Sequence, residues 1–284
     1  MKKLIIPILI IFLLLIVGKV SFAQSQTIDS LKIALSKAKY DTSRCAILNQ
    51  MVEAESDDAI WPKYNEELQH IAERNLKKNN TNSNAKIFKG HLANALNNTA
   101  YLFSNKGDTA QAIKYYNKSI KVLTEINNKS EIAKALICIG HVYKATGNYL
   151  NALAFYKKSL KMQYEINNKQ GIAFALFNIG SIYDYQGDIP NALEYYHNSL
   201  KIYEEIKDES GTASSLNNIA TLYELQGDTL KALDYNQKSL KIYEKLNDQF
   251  GIAAALNNIG LIFFKQSDFF ASLKYYEKKQ FGIF

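Results

Sequence analysis

The sequence is poor in proline and cysteine, with three prolines and two cysteines in 284 residues. Scarce proline favours long helices, because a proline inside a helix removes a backbone donor and kinks the helix. Cys45 and Cys138 both fall within predicted helices and lie far apart in the sequence. An oxidising compartment could join them, but their positions favour two separate buried thiols over a disulfide.

Patterns that carry catalysis or bind metals are missing as well. The four histidines (His70, His91, His141 and His197) have no Cys, Asp, Glu or His partner at metal-ligand spacing. There is no glycine-rich phosphate loop, and neither a nucleophile elbow nor a catalytic triad is recognisable. The sequence therefore predicts a protein that is not an enzyme and that holds neither a metal nor a cofactor.

The first residues have the three parts of an export signal. Lys2 and Lys3 precede an apolar run of 14 residues from Leu4 to Val17, and Ala23 ends a small-residue site for a cut before Gln24. The alternative is an uncleaved membrane anchor, although a spanning helix needs about 20 apolar residues. Because the segment contains no cysteine, a lipid-anchored lipoprotein is disfavoured. We expect an exported protein, either periplasmic or associated with the cell envelope.

Charge gives little indication of a nucleic-acid partner. The whole chain carries a formal charge of +7, and removal of the leader with its three lysines leaves +4. Nucleic-acid binding requires lysines and arginines clustered on one face, and this mild excess does not predict such a cluster.

One phrase occurs five times in the sequence at a spacing of 40 residues. The copies are LNNTAYLFSNKGD from Leu96, LICIGHVYKATGN from Leu136, LFNIGSIYDYQGD from Leu176, LNNIATLYELQGD from Leu216 and LNNIGLIFFKQSD from Leu256. A fixed period of 20 to 50 residues is typical of stacked repeat architectures.

Each copy predicts two helices joined by a short turn. In the central copy, apolar residues at helical spacing predict a first helix over residues 170–186. Gly187 suits the left-handed position after a helix, and Asp188 suits the N-cap of a second helix that ends near Ile206. Two helices with so short a connection must lie antiparallel, and neighbouring pairs must stack to bury their apolar faces.

The repeats resemble tetratricopeptide repeats (TPRs), specifically the 40-residue kind found in kinesin light chain and in many bacterial signalling proteins. The resemblance covers about residues 86–278 and rests on a recurring small residue, Tyr, Gly, Ala and Tyr, which in one copy are Gly140, Tyr143, Gly147, Ala152 and Tyr156. It implies an all-α, right-handed superhelix of stacked antiparallel helix pairs, with about five repeats plus a divergent N-terminal pair. The phrase 41–44 also resembles exported TPR regions of Bacteroidetes-type signalling proteins.

Three segments are predicted along the chain. Residues 1–23 form the signal peptide, residues 24–85 form a divergent helical cap that ends in the polar loop 79–84, and residues 86–284 form the TPR array. The tail 280–283 resembles residues 249–252, with which the preceding unit begins, but it follows them after 31 residues rather than 40. This favours an incomplete last unit, although chance similarity over four residues is the alternative. The missing part could hold a membrane helix and a signalling domain.

Asparagines at one repeated position are the best candidates for function. Asn98, Asn178, Asn218 and Asn258 lie off the stripe that faces the second helix. In TPR families this position points into the concave groove, where the resemblance implies that an asparagine binds a partner's peptide backbone. The alternative is a ladder of asparagines bonded between adjacent first helices. The predicted groove residues are Asn97, Asn98, Tyr101, Lys134, His141, Phe174, Asn178, Ser181, Tyr185, Asn217, Asn218, Thr221, Asn257 and Asn258.

We therefore expect a non-catalytic scaffold that binds a peptide or protein segment. The alternative is the sensory input of a truncated histidine kinase or nucleotide cyclase. Contact with a membrane is expected only through an uncleaved N-terminal segment or a missing C-terminal region.

Overall fold

The computed structural model describes residues 27–78 and 84–281, and these residues form helices joined by short turns. The first helix, α1, covers residues 27–37. The others are α2 (Asp41–Ala54), α3 (Trp61–Lys78), α4 (Ala85–Asn105), α5 (Thr109–Glu125), α6 (Lys129–Ala145), α7 (Tyr149–Glu165), α8 (Lys169–Tyr185), α9 (Ile189–Glu205), α10 (Glu209–Leu225), α11 (Thr229–Leu246), α12 (Gln249–Lys265) and α13 (Phe269–Phe281). The prediction of an all-α fold of consecutive, stacked helix pairs is confirmed.

The chain divides into two compact units, Met1–Ala135 and Leu136–Phe284, hereafter unit 1 and unit 2. The core of unit 1 joins Cys45, Leu48 and Met51 of α2 to Leu68 of α3 and Phe88 of α4. The divergent N-terminal segment is thus helical, as predicted, but it contains three helices, α1 to α3, rather than one pair. In unit 2, the core repeats from pair to pair, for example where Tyr196 and Leu200 of α9 meet residues of α10.

The repeated Gly-Asp phrase ends one helix and begins the next. Gly187 has a φ of 73° and is the left-handed residue after α8. The side chain of Asp188 then accepts a hydrogen bond from the backbone N–H of Asn191, which caps α9. In the last copy Ser267 replaces the glycine but keeps the left-handed backbone, with a φ of 63°, and Asp268 keeps the cap.

Stacked aromatic pairs account for seven of the nineteen tyrosines. In each repeat, an aromatic residue of the first helix stacks on one of the second helix, twelve positions later. Ring centroids are 5.4–5.5 Å apart in all five pairs: Phe103–Tyr115, Tyr143–Phe155, Tyr183–Tyr195, Tyr223–Tyr235 and Phe263–Tyr275. These stacks therefore lie within each helix pair and join its two helices.

Small residues allow the paired helices to approach closely. A β-carbon on Gly140 would lie 2.3 Å from Tyr156, and one on Gly180 would lie 2.9 Å from Tyr196. On the second helices, Ala112, Ala152, Ala192 and Ala232 are fully buried.

Some predictions need correction or fall outside the described residues. Cys45 and Cys138 are not joined in a disulfide, as expected, but Cys138 is only half-buried rather than buried. The signal peptide, most of the loop 79–84 and residues 282–284 lie outside the described residues, so the three predicted segment boundaries stay predictions. Among the helices that are described, none combines the length and apolarity needed to cross a membrane.

Candidate functional site on the first helices

The first helices of unit 1 line an open depression of about 800 Å³. We call it the amide depression, because five asparagines contribute to its lining: Asn49, Asn94, Asn97, Asn98 and Asn128. Its walls come from α2, from α4, from the end of α5 with the turn after it, and from the start of α6. Three predicted groove residues, Asn97, Asn98 and Lys134, meet here.

Two of these predicted residues have very different surroundings. Asn98 Nδ2 donates to Asn65 Oδ1 at 2.9 Å, so this amide is tied to the neighbouring helix α3. Asn97 Oδ1 is buried and has no hydrogen-bond partner. A buried acceptor without a partner is unfavourable by about 1–3 kcal/mol. Asn97 thus lines the depression with an unsatisfied hydrogen-bond acceptor.

His91 forms one side of the depression and is held in one tautomer. Its Nδ1 lies 2.8 Å from Asn49 Nδ2. The amide nitrogen can only donate, so His91 Nδ1 accepts and the ring proton lies on Nε2. Burial lowers the pKa of His91, which favours this neutral form.

The charges of the depression are mixed. Lys134 Nζ pairs with Glu131 at 2.7 Å, and both lysine and glutamate side chains line the rim. Such a lining suits an uncharged peptide backbone better than a strongly charged ligand. Tyr101 does not line the depression; it is half-exposed, and its ring centroid lies 6.5 Å from that of Trp61.

In unit 2, the ring of His141 lies against Asn178, one of the predicted groove residues. The ring stands edge-on to Phe174 and Tyr156, and His141 Nε2 lies 2.9 Å from Asn178 Oδ1. Asn178 Nδ2 donates to the Phe174 carbonyl at 2.8 Å, and the residue is 5% exposed. The structure thus gives Asn178 a bond at each amide atom and little accessible surface.

The pKa of His141 is lowered for two reasons. Burial of the ring is the larger cause, and the charge of Lys144 adds to it, while the bond to Asn178 opposes them. Neutral His141 therefore donates from Nε2 to the asparagine oxygen.

A second cluster lies one to two turns further along the same helices. Lys144 Nζ donates to Ser181 Oγ at 3.1 Å and lies 4.8 Å from the centroid of the Tyr185 ring. Tyr185 also stacks on Tyr149 of α7, with centroids 5.8 Å apart. Burial lowers the pKa of Lys144 and raises that of nearby Asp184.

The asparagines of α10 and α12 contact one another. Asn258 Nδ2 donates to Asn217 Oδ1 at 3.1 Å, and Asn218 hydrogen-bonds the Tyr196 hydroxyl. Thr221 Oγ1 donates to the carbonyl of Asn217, and Asn257 is half-buried.

The predicted positions therefore form separate clusters. Asn97, Asn98 and Lys134 share the amide depression, His141 contacts Phe174 and Asn178, and Asn217 contacts Asn258. Sequence reasoning missed Asn49, Asn94 and His91 as lining residues. Spacing along α4 could have found two of them, because His91, Asn94 and Asn98 recur at three- and four-residue steps on one helix face.

The described residues contain no group of three or more His, Cys, Asp or Glu side chains that could hold a metal ion. The side chains of the amide depression are hydrogen-bonding amides, His91, groups of mixed charge and the apolar Ile87, Leu123 and Ile126. What this arrangement can do is bind polar groups, chiefly through amides.

Comparison with known sequences identifies the fold family. Profiles described as tetratricopeptide repeat match residues 131–205 and 171–245, and a further one matches residues 93–122. The chain belongs to the tetratricopeptide repeat family. The matched segments contain the first four copies of the repeated phrase, and TPR domains are typically non-catalytic and commonly bind protein partners. Among curated proteins, no sequence matches significantly.

Solved structures with the same fold come from several kinds of protein. BtubC (BKLC) from P. vanneervenii is 20% identical, with a TM-score of 0.67 over 77% of this chain and 88% of that one. A signal transduction ATPase (STAND) with a tetratricopeptide repeat sensor, from Pyrococcus horikoshii, is 18% identical, with a TM-score of 0.65 over 87% of this chain and 38% of that one. A Podosopora anserina chain of nearly identical TPR-like repeats, described as kinesin light chain, is 12% identical, with a TM-score of 0.55 over 68% of this chain and 94% of that one. At these identities the likeness concerns the fold.

Proposed function

We propose that this TPR protein is a non-catalytic scaffold that binds an extended segment of a partner protein in the amide depression of unit 1. The observation that carries the proposal is Asn97 Oδ1, a buried acceptor without a partner in the wall of an open, amide-lined depression. A peptide N–H placed there would supply the missing donor after a small rotation of the side chain.

The rest of the lining supports a backbone ligand. An asparagine amide offers two donors and one acceptor, so a few of them can bracket a peptide unit of any sequence. The walls are helices, and Asn98 and His91 are already held by bonds to Asn65 and Asn49. A preorganised surface loses little entropy when it binds, which raises affinity.

The test is a selection of binding peptides from a displayed random library with the full-length chain, followed by affinity measurements on variants. We expect Asn97→Ala to weaken binding of the selected peptides about tenfold, the effect of losing one buried hydrogen bond. The matched control is Asn198→Ala, an exposed asparagine of the second helix α9.

Folding must be checked in parallel by thermal melting. Because Asn97→Ala removes an unpaired acceptor, its melting temperature should equal or exceed that of the wild type. Peptides that bind the Asn97→Ala and wild-type chains equally well would refute the proposal.

We also propose that the chain is exported. The basic start, the apolar run Leu4 to Val17 and the small residues before Gln24 support it. Mass spectrometry of the protein from its native cells should find a mature N-terminus at Gln24. A chain that retains residues 1–23 would instead favour the membrane anchor.

A second candidate is the sensory region of a longer signalling protein. The STAND ATPase favours it, because a tetratricopeptide repeat array of this fold forms the sensor of that larger protein, and the present chain spans 38% of it. A downstream apolar run of about 20 residues in the same genomic frame, followed by a kinase or cyclase domain, would support this candidate. A stop codon directly after Phe284 would count against it.

A further inference from the structure

We propose that unit 1 has a second binding site, a cleft that takes an ammonium or guanidinium group carried on an apolar stem. The cleft has a volume of about 550 Å³ and lies between α3, the C-terminal half of α4 and the start of α5. It shares no lining residue with the amide depression. The proposal therefore goes beyond the binding of a peptide backbone on the first helices.

The floor of the cleft has no free donor. Asn65 is 2% exposed, and its Nδ2 donates to the Ala95 carbonyl at 3.0 Å and to Thr99 Oγ1 at 3.1 Å. The hydroxyl of Thr99 in turn donates to the same carbonyl at 2.9 Å. Asn65 Oδ1 already accepts from Asn98 Nδ2 at 2.9 Å, so these two side chains offer a ligand only the remaining lone pairs of their oxygens.

The polar walls are also rich in acceptors. Gln69 Nε2 donates to Glu73 at 2.8 Å, which leaves its oxygen for a ligand. Asp58 accepts from the Trp61 indole N–H at 3.0 Å through one oxygen, and Glu66 is an exposed carboxylate. Lys106 is the one cation in the lining, and Asn105 adds an amide that can donate as well as accept. Two carboxylates against one ammonium favour a cationic ligand over an anionic one.

The remaining wall of the cleft is apolar, and one of its aromatic rings has a lysine ammonium beside it. Pro62, Leu102 and Phe103 line it together with Tyr115, whose ring has the ammonium of Lys118 4.6 Å from its centroid. Such a wall suits the methylene stem of a basic group. Ammonium and guanidinium heads have several donors and no acceptor, so they match the acceptors of the floor and the polar walls.

Trp61 provides a specific probe, because it is the only tryptophan of the chain and its indole N–H bonds the rim carboxylate Asp58. Three ligands would be titrated into the full-length chain while the indole N–H resonance is followed by NMR: N-acetyl-arginine methylamide, its uncharged analogue N-acetyl-citrulline methylamide, and spermidine. We expect a saturable shift and an affinity about tenfold higher for the arginine derivative than for citrulline. Tighter binding of spermidine than of the arginine derivative would assign the site to free polyamines, and the reverse order to a basic side chain of a protein.

The matched variants are Glu66→Gln in the cleft and Glu194→Gln on α9. Glu66→Gln should weaken binding of the arginine derivative several-fold and keep the wild-type melting temperature, because this side chain is exposed. Glu194→Gln should change neither. Equal affinities for arginine and citrulline derivatives, or no loss of affinity in Glu66→Gln, would overturn the proposal.

Discussion

At the scale of single residues, glycine sets how closely the paired helices approach. Gly140 faces the ring of Tyr156, which is fully buried and has little room to move. Gly90 lies on a helix as well, but a β-carbon there would meet nothing within 4 Å. One residue type thus has two different energetic roles in the same fold.

Replacing each glycine by alanine should therefore shift stability in opposite directions. Gly140→Ala forces a clash with the Tyr156 ring and should lower the free energy of unfolding by about 1–3 kcal/mol. Gly90→Ala should raise it by about 1 kcal/mol, since alanine is the better helix former. Urea unfolding of both variants gives the comparison. A Gly140→Ala variant as stable as the wild type would contradict the role of Gly140, and destabilisation by Gly90→Ala would contradict that of Gly90.

At the scale of helices, the sequence was enough to predict where one helix ends and the next begins. Predicted helices 170–186 and up to Ile206 correspond to Lys169–Tyr185 and Ile189–Glu205, because glycine and the capping Asp188 determine where helices end and begin. The hydrogen-bond partners of the asparagines could not be predicted from the sequence. They depend on which side chain the adjacent helix presents, and the repeat supplies His141 beside Asn178 but Asn217 beside Asn258.

The amide depression was predictable only in part, for a related reason. Its predicted residues Asn97 and Asn98 lie within the copy of the repeated phrase on α4. Lys134 lies on α6, two residues before the next copy begins. Asn49 comes from α2, whose sequence diverges from the repeat, so no periodicity places it. The missing partner of Asn97 Oδ1 depends on packing that the sequence pattern does not contain.

Two asparagines of equivalent helices should respond differently to alanine. Asn178 is buried and bonded to His141 and to the Phe174 carbonyl, so Asn178→Ala should lower the free energy of unfolding by about 1–3 kcal/mol. Asn97→Ala should not lower it. Thermal and urea melts test both, and equal destabilisation by the two variants would show that Asn97 is bonded in solution.

At the scale of the whole molecule, histidines make stability depend on pH. Burial lowers the pKa of His91, His141 and His197 below the usual 6.5. The unfolded chain then binds more protons than the folded chain as the pH falls through about 6.5, so the free energy of unfolding should fall. Asp184, whose pKa burial raises, acts in the opposite sense.

Thermal melts between about pH 7.5 and pH 5.5 should show the melting temperature falling with pH, because this window contains the unfolded histidine pKa. His141→Gln should reduce the slope, since glutamine does not titrate. A melting temperature that rises on acidification through this window would contradict the assigned direction of these shifts.

The central claim is that a partner segment lies on the first-helix face of unit 1. Photo-crosslinking of a library-selected peptide to the full-length chain, mapped by mass spectrometry, tests it most directly. We expect crosslinks to the walls of the amide depression, at Asn49 of α2, at His91 and Asn94 of α4 and at Lys134 of α6. Crosslinks confined to the second helices, at Lys118 or Lys158 for example, would contradict it.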